Sequence, residues 1–214
     1  MHVLCEVYAR AGKKLGAELD TRVGARPITE DEARVLMQRL SPSEAVPVVR
    51  AIMKDMHLSP EDVIAYERAH PEMVQRCVSA MTHHLQPSIM RLARATSGIS
   101  WRTDLARAQQ EAAREKKPVL YVGCSSMERG CRELDRQTFA DPRVRARLKD
   151  GSFVPVYDDL AVEDDPSAAA RMTKLHIDAL PTIILFDAQG AELHRWAGFT
   201  TADALATELA RAPK

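Results

Sequence analysis

Three short apolar runs in the second half of the chain constrain the fold most. They are Pro118-Val119-Leu120-Tyr121-Val122, residues 153–157 and residues 182–186, and segments of helical spacing separate them. Runs this short, bounded by turn signals, suit strands buried on both faces. Thr103 to Lys116 reads as a helix before the first run, and Ser125 to about Gln137 as a helix after it. Asp141-Pro142 opens a further turn or two, Asp165-Pro166 caps a helix ending near Leu175, and Thr201 caps a last helix through Ala210. Asp187-Ala188-Gln189-Gly190 is a turn, with Glu192 to Trp196 as its hairpin partner. The order α β α β α β β α predicts a mixed sheet covered by helices on both faces, with antiparallel strands closing it.

Residues 1–97 carry helix starts and almost no strand signal. Thr29-Glu30-Asp31-Glu32 fits a capping box, and Ser41-Pro42 and Ser59-Pro60 each place proline at a first helical position. Val49, Ile52, Met53 and Met56 recur at helical spacing, as do Met73, Val74, Cys77, Val78, Met81 and Leu85. About five short helices are expected, with Pro47 and Pro87 kinking or splitting theirs. The chain therefore divides into an all-α module, 1–97, and an α/β domain, 98–214. Charge does not mark the division: 13 basic residues face 12 acidic ones in 1–97, and 17 face 18 after it.

Composition excludes several partners. With 30 basic and 30 acidic residues, the chain has no global basic field for nucleic acid. No window reaches the roughly 18 uncharged apolar residues of a membrane helix. Glu6 and Arg10 interrupt the run a secretory signal requires, so a cytoplasmic location is expected. Four cysteines in 214 residues are too sparse for a disulfide scaffold.

The element order, together with three local stretches, resembles the thioredoxin fold from about Ile99 to Ala212. The stretches are Lys117-Pro118-Val119-Leu120-Tyr121-Val122; the segment from Cys131 through Phe139-Ala140-Asp141-Pro142 to Val144; and Ile177-Asp178-Ala179-Leu180-Pro181-Thr182-Ile183 followed by Asp187-Ala188-Gln189-Gly190. The second is similar to thioredoxin-like domains of the DsbD C-terminal and anterior-gradient type. The resemblance implies a Trp-Cys-x-x-Cys motif after the first strand, a cis-proline at Pro181, and an extended peptide pairing with the backbone before that proline. Here Met127-Glu128-Arg129-Gly130-Cys131 occupies the motif. Glu128 stands in place of the attacking cysteine, Met127 in place of the tryptophan, and Val122 in place of a buried acid. Cys131 aligns with the second cysteine.

A carboxylate cannot exchange with a disulfide, so the ordinary two-cysteine cycle is unavailable at 128. Ser125-Ser126-Met127-Glu128 fits a capping box, with Ser125 as N-cap. That start puts Cys131 in the second turn, on an apolar stripe with Met127 and Leu134, where a buried thiol is inert. Cys124 ends the strand near the same place, seven positions from Cys131, and a bond between them stays open. The leading expectation is a binding module for a protein or extended peptide, acting as an adaptor or chaperone. Its surface comprises Ser125, Ser126, Met127, Glu128, Arg129, Gly130, Leu180 and Pro181. The rival is a thiol–disulfide oxidoreductase working through Cys131 alone or Cys124 with Cys131; the third is a docking or homodimerising domain.

No cofactor or metal is expected. Neighbouring His83 and His84 project about 100° apart on a helix and do not converge on one ion. The methionines of the first half are read as filling a small helical core. Arg143, Arg145, Arg147 and Lys149 are read as a solvated face, offset by the acidic stretch of Asp158, Asp159 and Glu163 to Asp165.

Overall fold

Helical sequence before residue 96 and alternating sequence after it produce two different kinds of packing. The computed structural model describes residues 3–23, 28–38, 40–160 and 166–212. The expected Asp165 cap and the acidic residues 163–165 lie outside them. Contacts divide the chain into two units, the second beginning at Arg94.

The first unit is helical: α1 (Val3–Val23), α2 (Glu30–Gln38), α3 (Pro42–Asp55), α4 (Pro60–Ala69) and α5 (Pro71–Ala95). The box at α2 forms as the sequence suggests, with Thr29 N donating to Glu32 at 2.8 Å and Glu32 N donating to Thr29 Oγ at 3.2 Å. Ser59 Oγ likewise accepts from Asp62 N. α1 buries Leu4, Val7, Ala11, Leu15 and Leu19 along one face. Val7 and Ala11 meet Ile52 and Met53 of α3. A methyl at Gly12 would fall on the Met81 carbonyl oxygen, and one at Gly16 would come 2.9 Å from Ser88 Oγ. These two glycines let α1 and α5 approach backbone to backbone. Cys5 and Cys77 join the same helices through a disulfide, with Cα atoms 4.2 Å apart. Tyr8 donates to Glu67 at 2.9 Å; burial first, and then that carboxylate, push its phenol up to about 12.

Two expectations need correction here. α1 has 21 residues and α5 has 25, so these helices are not short. Pro47 and Pro87 do not split α3 and α5. Each proline removes one N–H from its helix ladder, and the helix runs on past it. Among the described residues, no helix is long and apolar enough to cross a membrane.

The second unit runs α6 (Leu105–Glu115), β1 (Val119–Cys124), α7 (Arg129–Glu133), a π-helical turn (Leu134–Thr138), α8 (Pro142–Lys149), β2 (Val154–Asp159), α9 (Pro166–Lys174), β3 (Thr182–Phe186), β4 (Glu192–Ala197) and α10 (Ala202–Arg211). The sheet order is β2-β1-β3-β4, with β1 parallel to β2 and antiparallel to β3. All six residues of the central strand β1 are buried. Alternation splits them between two cores. Leu120, Val122 and Cys124 face Leu134, Val144, Leu205 and Leu209. Val119 and Tyr121 face Ala108, Ala112 and Ala168. This is the α/β arrangement that the resemblance implies.

Of the basic run on α8, Arg143 and Lys149 are exposed and Arg145 and Arg147 are half-buried. Arg143 pairs with Asp141 and Asp203, Arg145 donates to the Ser97 carbonyl, and Arg147 reaches the Leu209 carbonyl, Asp150 and Ser152. Arginine's fork spans such mixed acceptors, so the run ties α8 to its surroundings.

Candidate functional site

β1 ends where the sheet opens toward α7. The Cys124 carbonyl accepts from Leu160 N at 2.6 Å, which fixes the strand end. The next four residues form a turn rather than a helix. Glu128 N donates to the Ser125 carbonyl at 3.0 Å, and Met127 N donates to Ser125 Oγ at 3.3 Å. α7 then starts at Arg129, with Glu128 as its N-cap residue and no capping bond from the Glu128 side chain.

This corrects the expected capping box. Ser125 bonds two residues ahead, a local alternative to capping three ahead. The start moves three residues along the chain, so Cys131 is the third residue of α7 rather than part of a second turn. That places it among the unpaired N–H groups that stabilise a thiolate.

The same turn brings Cys131 to Cys124. Their Cα atoms lie 5.7 Å apart, within the range a disulfide bridges, and the two are bonded. Cys131 is therefore not a lone core thiol. All four cysteines are paired. Cys77, bonded to Cys5, offers no thiolate to a metal, and no cluster of three metal-ligating side chains occurs among the described residues.

Both site sulfurs are enclosed: Cys124 is 0 % and Cys131 1 % exposed. Ser125 and Ser126 are buried in the turn, while Met127, Glu128 and Arg129 are exposed above it. Arg132 donates to the carbonyls of Ser126 at 3.2 Å and Met127 at 2.6 Å, clamping the turn shut. Arg129 is taken up by Glu133 at 2.8 Å.

Pro181 sits against this corner. The Leu180–Pro181 peptide is cis. A methyl at Gly130 would lie 2.8 Å from Pro181 Cδ, so the ring packs on the residue just before Cys131. The Pro181 carbonyl accepts from Gly198 N at 2.7 Å, which brings the end of β4 alongside. Met127 and Phe199 are each 41 % exposed, and Leu180 is half-buried. We expect Gly130→Ala to cost about 1–3 kcal/mol as overpacking. It should also slow closure of the Cys124–Cys131 pair, measured by reoxidation after reduction. Unchanged closure and stability would show that this approach is not tight.

Behind the pair lies a buried ionic cluster. Asp135, in the π-helical turn, accepts from Arg94 at 3.2 Å and from the Tyr157 hydroxyl at 3.4 Å. The Arg94 guanidinium also lies 3.7 Å over the Tyr157 ring. Burial raises the Asp135 carboxyl above the ordinary carboxylate range despite Arg94, and the charge of Asp159 adds to the rise. The folded chain thus holds this proton more tightly than the unfolded chain does. Its contribution to stability is present below the unfolded carboxyl pKa and is lost as pH rises through the folded one. Replacing Asp135 with Asn should remove that downward slope between acid and neutral pH, read from thermal midpoints. An equal slope in both chains would contradict the assignment.

Sequence reasoning missed Arg132, Asp135, Arg94 and Asp159 as parts of this site. Only the segment quoted for the resemblance contained the first two. Glu128, by contrast, is exposed and has no part in the pair.

Comparisons with known proteins find similarity in the second unit. Residues 105–213 match a family model described as Thioredoxin-like domain. The thiol:disulfide interchange protein DsbD of Cronobacter sakazakii is 37 % identical over 108 residues, 50 % of this chain and 18 % of that protein. DsbD of Escherichia coli K12 is 30 % identical over 95 residues, 44 % of this chain and 16 % of that protein. The oxidised C-terminal domain of Neisseria meningitidis DsbD superposes with a TM-score of 0.42 at 16 % identity, covering 53 % of this chain and 99 % of that domain. The chain spans less than a fifth of the length of the curated relatives it matches.

Proposed function

The chain belongs to the thioredoxin-like family through residues 105–213, and from that premise we propose that it exchanges thiols and disulfides through the Cys124–Cys131 pair. The observation that carries this reading is the pair itself, closed beside Pro181 where the aligned motif lacks its usual attacking cysteine. Cys131, in the first turn of α7, is the attacking thiolate of the reduced form. It opens a partner's disulfide to a mixed disulfide. Cys124 then attacks the Cys131 sulfur, the pair closes, and the partner leaves as a dithiol, two electrons richer. Because both sulfurs are enclosed, the turn at 125–128 lifts for each exchange, with Arg132 as its latch.

The partner is a protein or an extended peptide. Met127, Leu180 and Phe199 offer it an apolar surface beside the backbone before Pro181. We further place the chain in an oxidising compartment rather than the cytoplasm, since two disulfides persist where thiols are not kept reduced.

Burial of both sulfurs, with an exposed carboxylate at 128, favours a second reading in which the same surface binds peptide without exchange. Insulin reduction in the presence of dithiothreitol separates the two. Turnover above dithiothreitol alone, with a mixed disulfide at Cys131 trapped in the Cys124→Ser chain once dithiothreitol is removed, supports exchange. Peptide binding without turnover supports the adaptor.

A further inference from the structure

Resting on the exchange reading, we propose that the Ser126 hydroxyl is the hydrogen-bond donor to the Cys124 thiolate. That is the form in which the sulfur attacks when the disulfide closes and leaves when it opens.

The motivating group is an orphan. Ser126 is 3 % exposed, and its Oγ has no hydrogen-bond partner among the described residues. Buried hydroxyls are nearly always paired, so one left alone beside a redox pair calls for a role. The rest of the turn is committed. Ser125 Oγ accepts from Met127 N, the Ser125 carbonyl accepts from Glu128 N, and the carbonyls of Ser126 and Met127 accept from Arg132. Ser126 is therefore held two residues past Cys124, in the turn that joins the two sulfurs, with a hydroxyl that the closed disulfide does not use. A hydroxyl proton rotates freely about its C–O bond, so it swings toward an anion when one forms.

Cys124 needs a donor more than Cys131 does. Cys131 lies among the N–H groups at the start of α7. Cys124 ends a strand, buried in the core. The ionisable groups around it are Asp159 opposite it in β2, Cys131 from α7, Asp135 from the π-helical turn, Tyr157 from β2, and Arg94. The Tyr157 hydroxyl and Arg94 are both spent on Asp135. A thiolate desolvated beside carboxylates is disfavoured, and a hydrogen bond to the charged form offsets that. In closure the Cys124 thiolate attacks the Cys131 sulfur of the mixed disulfide. The new S–S bond forms, the bond to the partner breaks, and its electron pair leaves on the partner's sulfur. In opening, a partner thiolate attacks Cys131 and the electron pair of the broken bond goes to Cys124. Ser126 donates to that sulfur in both directions and keeps its proton.

The test uses the full chain carrying Cys131→Ala, in which Cys124 is the lone free thiol and Cys5–Cys77 stays closed. Thiolate ultraviolet absorbance against pH reports buried and exposed thiols alike. Adding Ser126→Ala should raise the Cys124 midpoint by about one unit, roughly tenfold less thiolate at a fixed pH below it. Ser126→Thr, which keeps the hydroxyl, should restore it. An unmoved midpoint with Ser126→Ala overturns the proposal, and so does an equal rise with Ser126→Thr, which would mark a packing effect. If the doubly substituted chain does not fold, Ser126→Ala alone, with the disulfide intact, supplies the answer. Dithiothreitol should open its Cys124–Cys131 pair roughly threefold more slowly, since a leaving thiol of higher pKa departs more slowly. Opening at an equal or greater rate overturns the assignment. A raised midpoint, in a chain whose unaltered form shows no insulin turnover, keeps the hydrogen bond and rejects exchange; turnover with an unmoved midpoint does the reverse.

Discussion

Replacing Cys131 with serine should reduce insulin turnover by the full chain to the rate of dithiothreitol alone, and replacing Cys124 should do the same by a different route. The two losses differ because a disulfide cycle carries two electrons and a single sulfur cannot complete it. Without Cys131 there is no thiolate at the start of α7, and no mixed disulfide forms. Without Cys124 the mixed disulfide forms at Cys131 and no thiol of the chain resolves it, so it accumulates when the reduced chain meets insulin after dithiothreitol is removed. The trapped species, identified by peptide mapping, is the distinguishing result. Equal turnover by either variant and the unaltered chain would remove the pair from the mechanism. Glu128→Gln serves as the contrast, because that exposed side chain makes no capping bond, and turnover should hold.

The second large effect falls on the helical unit. Replacing Cys5 and Cys77 with alanine removes a link spanning 72 residues. Chain entropy alone puts the loss at about 4 kcal/mol, against about 2 kcal/mol for the seven-residue span of the other pair. The crossing it holds has little slack: Gly12 approaches the Met81 backbone and Gly16 approaches Ser88. Asp20 adds a second tie, accepting from Arg91 at 2.8 Å and from Ser88 at 3.1 Å. Limited proteolysis and far-ultraviolet circular dichroism should show residues 3–93 melting first in the doubly substituted chain. An unchanged melting profile would mean that the packing suffices without the bond.

Local signals in the sequence were reliable where the chemistry is local. The Thr29 and Ser59 caps, the three buried strands, the hairpin at 187–190 and the Asp141 cap depend on residues a few positions apart. Ser125-Ser126-Met127-Glu128 has the same pattern as the Thr29 box, yet it folds as a turn. What decides it is tertiary: β1 ends at Cys124, Leu160 holds that end, and Arg132 reaches back over the carbonyls. Those facts set the approach of Cys124 to Cys131, which spacing alone left open. Cys77 was read as part of an apolar helical stripe, and it is buried; its partner lies 72 residues away, where no local pattern points. In the sequence Asp159 is one residue of an acidic stretch that offsets the basic run. Only the parallel register of β1 and β2 turns it toward Cys124. The acceptors of the α8 arginines, including the carbonyls of Ser97 and Leu209, are likewise distant in sequence.

The most direct test of the account is redox equilibration of the full chain. Samples held in graded dithiothreitol or glutathione buffers are quenched in acid, alkylated and mapped by mass spectrometry, so that each cysteine pair is read separately. The account predicts that Cys124–Cys131 opens and recloses reversibly while Cys5–Cys77 remains closed and the chain remains folded. Opening of Cys124–Cys131 only together with Cys5–Cys77, or only on unfolding, would contradict it and leave both bonds as structural staples.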